Sequence, residues 1–187
     1  MALAFFVASC AVAAPCRADV TSWLAVGGGY SLQRNRIAGT NDSAGAITYS
    51  LGVGSPSGNP FVLGGLFRGT TMVDLGTDVG LAVRGATGGF ARGDWGVALD
   101  LGAAFRSWGG GAYGDWPLQV VVTGASPWGF GLALGTEFAN LERGRVSEGM
   151  FVALELDILR LSVMRQGSSL LWWPNPSPAG GPAAPSP

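Results

Sequence analysis

Acidic and arginine side chains recur in this sequence at positions that share one face of regularly alternating segments. Carboxylates and guanidinium groups placed in this way can form ion pairs, and two carboxylates can also act as general acid and base. The residues are Arg68, Asp78, Arg84, Asp100, Arg106, Glu137, Glu155 and Asp157. We expect them to face one interior and to form a network of paired charges there, with Asp100 and Glu137 as the pair suited to acid–base chemistry.

Enzymatic chemistry is restricted by the residue types that the chain lacks. It has no His, which excludes a Ser–His or Asp–His mechanism. Both cysteines, Cys10 and Cys16, lie in the N-terminal segment, so the rest of the chain offers neither a thiolate nor a His/Cys metal cluster. Acids beside arginines are more often salt-bridged than catalytic. We therefore expect that the protein is not an enzyme and uses no cofactor or metal.

The segment from Trp95 to Arg106 shows which elements must position these charges. Every second residue is apolar, and the residues between them include Asp100 and Arg106. Side chains of a β-strand point alternately to opposite faces, so the segment predicts a strand with one apolar face. Its aromatic ends, Trp95 and Phe105, would be about 25 Å apart along the normal of a membrane if the strand is tilted by about 40°. That length matches the lipid-facing band of a transmembrane barrel.

The same period of two recurs along the chain. It is present in residues 23–33, 46–54, 61–68, 78–84, 118–123, 130–138 and 150–158. We predict an all-β fold, an antiparallel up-and-down transmembrane β-barrel of eight strands. The phase slips at Ile158, which we interpret as a β-bulge in one long strand. A hairpin there would instead require Ser169 to Trp173 as a tenth strand.

The connections between these segments alternate in predicted length. Ser55 to Pro60 and Ser126 to Gly129 are short, whereas Arg34 to Ala44, Ser107 to Trp116 and Asn140 to Ser147 are long. We expect Gly88 to Asp94 to be a turn. Short turns on one side and longer loops on the other are typical of outer-membrane barrels.

The two ends of the chain differ in composition from the middle. Residues 1–18 have an apolar core followed by small residues, Cys16 and Ala18, at the −3 and −1 positions of a cut after Ala18, which predicts a cleaved secretory signal. A lipoprotein signal around Cys10 and a buried N-terminal segment are the alternatives. Residues 19–173 would form the barrel. Residues 174–187 are rich in proline and small residues, which predicts a disordered tail.

Overall composition excludes some partners and supports a barrel. The net charge of −1 argues against nucleic-acid binding, which needs a basic surface. Hydrophobic residues make up 48% of the chain and charged residues 12%. A barrel accounts for this composition because its apolar residues lie two apart along many strands.

The signal segment, the alternating strands with aromatic ends and the unequal loops resemble the small outer-membrane barrels of Gram-negative bacteria, the class of the opacity proteins and outer-membrane protein A. The resemblance is architectural and implies a monomeric membrane protein in outer-membrane lipid, inserted by the barrel-assembly machinery. It also implies a structural, adhesive or porin-like role in small-solute passage. Trp172 or Trp173 would be the aromatic residue that the machinery recognises. The expected interfacial aromatics are Trp95, Phe105, Tyr113, Trp116, Trp128, Phe130, Phe138, Trp172 and Trp173.

Two other architectures compete with this interpretation. A soluble periplasmic barrel, similar to a lipocalin, would turn the apolar face inward and bind an apolar small ligand. Its outer face would then consist largely of Gly, Ala, Ser and Thr, which is too weakly polar for a solvated surface. A helical membrane protein could use Ser43 to Phe67 or Trp116 to Thr136. Both stretches, however, contain proline, glycines and a period of two.

Overall fold

The wall of this protein is one antiparallel sheet closed into a barrel. The computed structural model describes residues 20–35, 37–109, 112–113, 115–140 and 146–162. The strands are β1 (Thr21–Arg34), β2 (Asn41–Gly54), β3 (Phe61–Met72), β4 (Gly76–Thr87), β5 (Gly96–Arg106), β6 (Leu118–Ala125), β7 (Phe130–Asn140) and β8 (Val146–Asp157). Two short helices are α1 (Gly88–Arg92) and α2 (Ile158–Ser162).

Each strand pairs with the next one in the chain, and β8 returns to β1. The closing register extends from Ala25 opposite Asp157 to Gln33 opposite Gly149. The prediction of an up-and-down barrel of eight strands is thus confirmed. Closure pairs both edges of the sheet, so no edge in the described chain is free for a further strand. Ser169 to Trp173, the alternative strand, lies outside the described residues.

The phase slip after Asp157 has a different cause from the predicted bulge. Strand β8 ends at Asp157, and α2 begins at Ile158. The prediction of one long bulged strand is therefore wrong. The spacing of apolar residues changes there because the backbone leaves the period of a strand for that of a helix.

The connections define two ends of the barrel. The turn end carries residues 55–60, α1, residues 126–129 and α2, and the loop end carries the connections at residues 35–40, 73–75 and 107–117. The prediction of a long loop from Arg34 to Ala44 is wrong. Strand β1 extends to Arg34 and β2 begins at Asn41, so the two strands include most of its polar residues. Asn35 Oδ1 accepts hydrogen bonds from the backbone N–H groups of Ile37 and Ala38, which tightens the turn. The two ends thus differ less in loop length than predicted.

The predicted turn from Gly88 to Asp94 contains helix α1. Thr87 caps its N-terminus by accepting a hydrogen bond from the Phe90 N–H group, and Gly93 ends it with a φ of 78°. Phe90 is thereby placed inside the turn end, where it packs in one cluster with Trp23 and Val62.

The inward and outward faces of the wall differ in polarity. Large apolar side chains are exposed on the outward face of every strand, among them Val26, Leu51, Leu63, Leu81, Leu101, Val122, Leu132 and Leu154. Among the described strand residues, charge on the outward phase is found near the loop end, at Arg34 of β1 and at Glu148 of β8, two residues before the exposed Met150. Seven charged residues of the strands lie on the inward face and are buried: Arg68, Arg84, Arg106, Asp78, Asp100, Glu137 and Glu155.

No helix in the described part of the chain is long and apolar enough to cross a membrane.

Candidate functional site

A central cluster of charges occupies the middle of the barrel. Arg84 and Asp100 lie directly opposite each other on β4 and β5. The Arg84 guanidinium binds Asp100 through two hydrogen bonds of 2.6 and 2.7 Å. Such a bidentate pair is stronger and more directional than a single contact. The register of two neighbouring strands therefore builds the first part of this cluster.

Arg68 extends the central cluster across the lumen. Its Nη2 atom donates to Asp100 at 3.0 Å, and its Nη1 atom donates to Glu155 at 3.0 Å. Thr48 Oγ1 donates to the same Glu155 oxygen at 3.2 Å. The cluster has two guanidinium groups and two carboxylates, so its formal charges balance. A balanced, buried set of this kind avoids the large cost of unpaired charge.

A second cluster, the loop-end cluster, is organised around Arg106. Its Nε atom lies 2.9 and 3.0 Å from the two Asp78 oxygens, and its Nη2 atom donates to Glu137 at 2.6 Å. Gln33 and Gln119 also donate to Glu137, at 3.0 and 2.8 Å. Glu137 thus accepts hydrogen bonds from three strands, which holds β1, β5 and β6 to β7.

The connection between β5 and β6 closes the barrel above the loop-end cluster. Trp108 Nε1 donates to Asp78 at 2.8 Å, and the Trp108 ring packs on Tyr113 with ring centroids 4.7 Å apart. The Arg106 guanidinium lies 4.8 Å from the centre of the Trp108 ring. An added Cβ at Gly76 would meet the Trp108 ring at 2.2 Å, so only glycine permits this close approach.

Tyr113 ties this connection to β2. Its hydroxyl donates a hydrogen bond to an Asp42 carboxylate oxygen. Burial raises the pKa of the Tyr113 phenol above 10.0, and the hydrogen bond to the Asp42 carboxylate raises this pKa further. The neutral phenol is therefore the form that the folded chain favours.

The turn end is closed by apolar side chains. Trp23 and Phe90 are buried in a cluster with Val62, Ala86, Ala98 and Ala125. The Arg84 guanidinium lies 5.2 Å from the Trp23 ring centre and 5.4 Å from that of Phe90. The described interior is thus filled by an apolar plug, two charged clusters and an aromatic cap, in that order along the barrel.

Most of the charged residues expected inside lie in these clusters. The exception is Asp157, which is half-buried at the turn end of β8 and belongs to neither cluster. Gln33, Gln119, Thr48 and Trp108 join the clusters although the sequence analysis did not select them. Gln33 and Gln119 fall on the inward phase of their strands, so the alternation contained a signal for them.

The expected interfacial aromatics divide into three groups. Trp95, Phe105, Trp116, Trp128, Phe130 and Phe138 are exposed on the outside, near the ends of the strands. Tyr113 departs from the prediction, because it is 5% exposed and lies beneath its loop. The hydrogen bond to Asp42 and the packing on Trp108 draw it inward. Trp172 and Trp173 lie outside the described residues.

No protein-family model, curated protein or solved structure matches the chain. The function must therefore be inferred from the geometry. Asp100 and Glu137, the two carboxylates considered for acid–base chemistry, belong to different clusters, and each binds at least one guanidinium group. Among the described residues, no group of three or more His, Cys, Asp or Glu side chains is arranged to hold a metal ion. The arrangement is suited to bracing the wall and filling the lumen.

Proposed function

We propose that this protein is an integral outer-membrane β-barrel with a structural role, a closed scaffold that holds its loop end at the membrane surface. The observation that carries the proposal is the distribution of side chains, which is apolar on the outside of the barrel and charged on the inside, the reverse of a soluble protein. Leucine, valine and phenylalanine side chains cover the outside, while three buried arginines and four buried carboxylates lie inside. Burial in lipid makes such an apolar exterior favourable, whereas contact with water would expose a patch far larger than soluble monomers carry.

The aromatic residues at the two ends support the same proposal. At the turn end, Trp95 and Trp128 are each 67% exposed and pack edge to face at 5.6 Å. At the loop end, Phe105 and Trp116 pack at 5.0 Å. Two aromatic girdles that flank an apolar band are what the two interfaces of a membrane favour.

The filled interior favours a structural role over passage of solutes. A barrel of eight strands is narrow enough for its own side chains to fill, and here these side chains are bonded to one another across the lumen. The same filling counts against a soluble barrel of the lipocalin type, which needs an apolar cavity for its ligand. Since Asp100 and Glu137 are each held by arginine, we propose no catalytic role for the interior.

An adhesive role is the second candidate. Ile37, in the connection between β1 and β2, is 76% exposed, and Val73 at the next loop is also exposed. These apolar side chains lie at the loop end, which would face outward from the cell. They offer a small contact surface for a partner.

Cell fractionation with an electrophoretic assay tests the proposal. We expect the chain to remain with the outer-membrane fraction until detergent is added, and to migrate as a compact band that shifts on boiling. Release by osmotic shock without detergent would overturn the proposal in favour of a soluble barrel.

A further inference from the structure

Three buried polar atoms on two neighbouring strands of the barrel have no hydrogen-bond partner among the described residues. They are Ser50 Oγ on β2, and Arg68 Nε and Thr70 Oγ1 on β3. Each of the three residues is at most 2% exposed. A buried polar atom without a partner is costly, and native proteins commonly satisfy such atoms with ordered water.

The register places these atoms near one another. Ser50 is directly opposite Arg68, and the Cβ atoms of such a cross-strand pair are about 4.5–5.5 Å apart. Thr70 lies two residues farther along β3, so it points to the same inward face. A water molecule forms hydrogen bonds of about 2.8 Å, which allows it to bridge two polar atoms about 5.6 Å apart.

The Arg68 guanidinium is held in place by its two other nitrogens. Nη2 donates to Asp100 and Nη1 donates to Glu155, each at 3.0 Å. These contacts leave Nε as the guanidinium nitrogen without an acceptor. A third acceptor beside Arg68 would therefore complete the hydrogen bonding of the side chain that crosses the lumen.

The row that contains Ser50 and Arg68 has room for a small ligand. It runs from Ala25 through Ser50, Arg68 and Gly80 to Ala104. Arg68 has the only long side chain of these five residues. The small neighbours do not fill the lumen beside its stem, where Nε lies.

The charges of the central cluster select a neutral ligand. Its two guanidinium groups and two carboxylates balance, so a further ion would be buried without a counter-charge. Arg68 Nε can only donate a hydrogen bond, whereas the two hydroxyls can both donate and accept. Water, which also donates and accepts, matches this set of groups.

We propose that Ser50, Arg68 and Thr70 form an internal water site. Ordered water accepts a hydrogen bond from Arg68 Nε and bonds to the Ser50 and Thr70 hydroxyls, which gives it the two to four polar partners that buried water requires. The water joins β2 to the side chain that connects β3 with β5 and β8. The site depends on the interior of the barrel alone, so it does not rest on the proposed membrane location.

Thr123 on β6 provides an internal control. Its Oγ1 atom is also buried and has no hydrogen-bond partner among the described residues. The residues directly opposite it are Ala98 and Ala133, which offer no polar side-chain atom. A hydroxyl between two alanines lacks the partners that hold a water, so we expect this position to be dry.

A crystal structure of the wild-type chain at a resolution that shows ordered water tests the site. We expect water within about 2.7–3.2 Å of both Arg68 Nε and Ser50 Oγ, and none at Thr123 Oγ1. A direct hydrogen bond from Arg68 Nε to Ser50 Oγ, or the absence of water from both atoms, would overturn the site. Anomalous density for bromide at Arg68 Nε, in crystals grown with bromide, would also overturn it by identifying an anion.

Ser50→Ala and Thr123→Val give a matched comparison in solution, because each removes one buried hydroxyl. Ser50→Ala should raise the equilibrium constant for unfolding by urea in detergent micelles about tenfold, since Arg68 Nε loses the water that accepts from it. Thr123→Val should change this constant by less than about threefold, because the hydroxyl that it removes has no partner. Equal effects of the two variants would overturn the site.

Discussion

Arg68 Nη1 and Glu155 Oε1 lie 3.0 Å apart although two strands, β1 and β2, separate their strands in the barrel wall. The contact therefore crosses the lumen. Because Arg68 also binds Asp100 on β5, one side chain connects three distant parts of the wall. Both ends of the Arg68–Glu155 pair are almost completely buried. The barrel is consequently held together across its interior as well as around its circumference.

Removing Arg68 should be strongly destabilising. Arg68→Met leaves Glu155 without a guanidinium partner, and loss of one member of a buried pair costs about 3–5 kcal/mol. The measurement is the free energy of unfolding by urea in detergent micelles, followed by tryptophan fluorescence. Removing both charges, as in Arg68→Met with Glu155→Gln, should recover part of the loss.

Arg92 provides the matched control for Arg68. Its Nε atom lies 3.8 Å from an Asp94 carboxylate oxygen at the surface, where both side chains are largely exposed. Arg92→Met should therefore change the unfolding free energy by only about 0–1 kcal/mol. Similar losses of unfolding free energy in Arg68→Met and Arg92→Met would mean that the ion pair across the lumen stabilises the barrel no more than a surface pair.

A charge introduced at the middle of the apolar band on the outward face should lower the stability of the barrel. Leu101→Arg should lower the free energy of unfolding from vesicles by about 2–4 kcal/mol, because the guanidinium would face acyl chains. Ile37→Arg, at an exposed loop position, should have little effect. A stability of Leu101→Arg equal to that of the wild type would contradict a lipid-facing position for Leu101.

The Tyr113–Asp42 contact should give alkaline pH dependence. The pKa of Tyr113 is raised in the folded chain, so the stability it contributes is complete below about pH 10, the pKa of an unfolded tyrosine, and is lost as the pH rises through the folded pKa. Tyrosinate absorbance measures this step directly. Asp42→Asn should lower the pKa of Tyr113 by removing the neighbouring negative charge.

Tyr113→Phe identifies the step as that of Tyr113. This variant should lack it and should lose less stability than the wild type between neutral pH and strongly alkaline pH. A titration curve that Asp42→Asn leaves unchanged would show that the carboxylate does not act on the phenol.

The filled lumen should prevent conduction. Reconstituted in a planar lipid bilayer, the wild-type chain should produce no stepwise current above that of the bare bilayer, because side chains close the barrel at both ends and in the middle. Vesicles that carry an open porin serve as the positive control in a parallel swelling assay. Regular current steps from the wild type would show that the interior opens.

The alternation of side chains allowed the wall to be predicted from sequence. In a strand the period of two is local, so Val97, Leu99 and Asp100 reveal their faces without knowledge of the neighbouring strands. The ion pairs of Arg84 with Asp100 and of Arg106 with Asp78 follow once these strands lie side by side. Local pattern and register together therefore account for much of the interior.

The parts that the sequence did not predict depend on contacts between distant segments. The glycine-rich connection of residues 107–117 looks like an outer loop, yet Tyr113 lies inside because Asp42, far away in the chain, offers a hydrogen-bond acceptor. Gln33 and Gln119 are neutral, so a search for charged pairs passes over them until Glu137 is seen between them. The start of α2 at Ile158 was equally ambiguous, since no turn residue marks the end of β8.

The most direct test of the membrane account is the depth of single spin labels on the outward face. Labels at Leu63, Leu101 and Leu154, introduced with Cys10 and Cys16 replaced by Ser, report on three strands, and a label at Ile37 serves as the reference outside the belt. At Leu63, Leu101 and Leu154 we predict frequent collisions of the label with oxygen and few with a water-soluble nickel complex. At Ile37 we predict the reverse. Nickel accessibility at Leu101 equal to that at Ile37 would contradict the account.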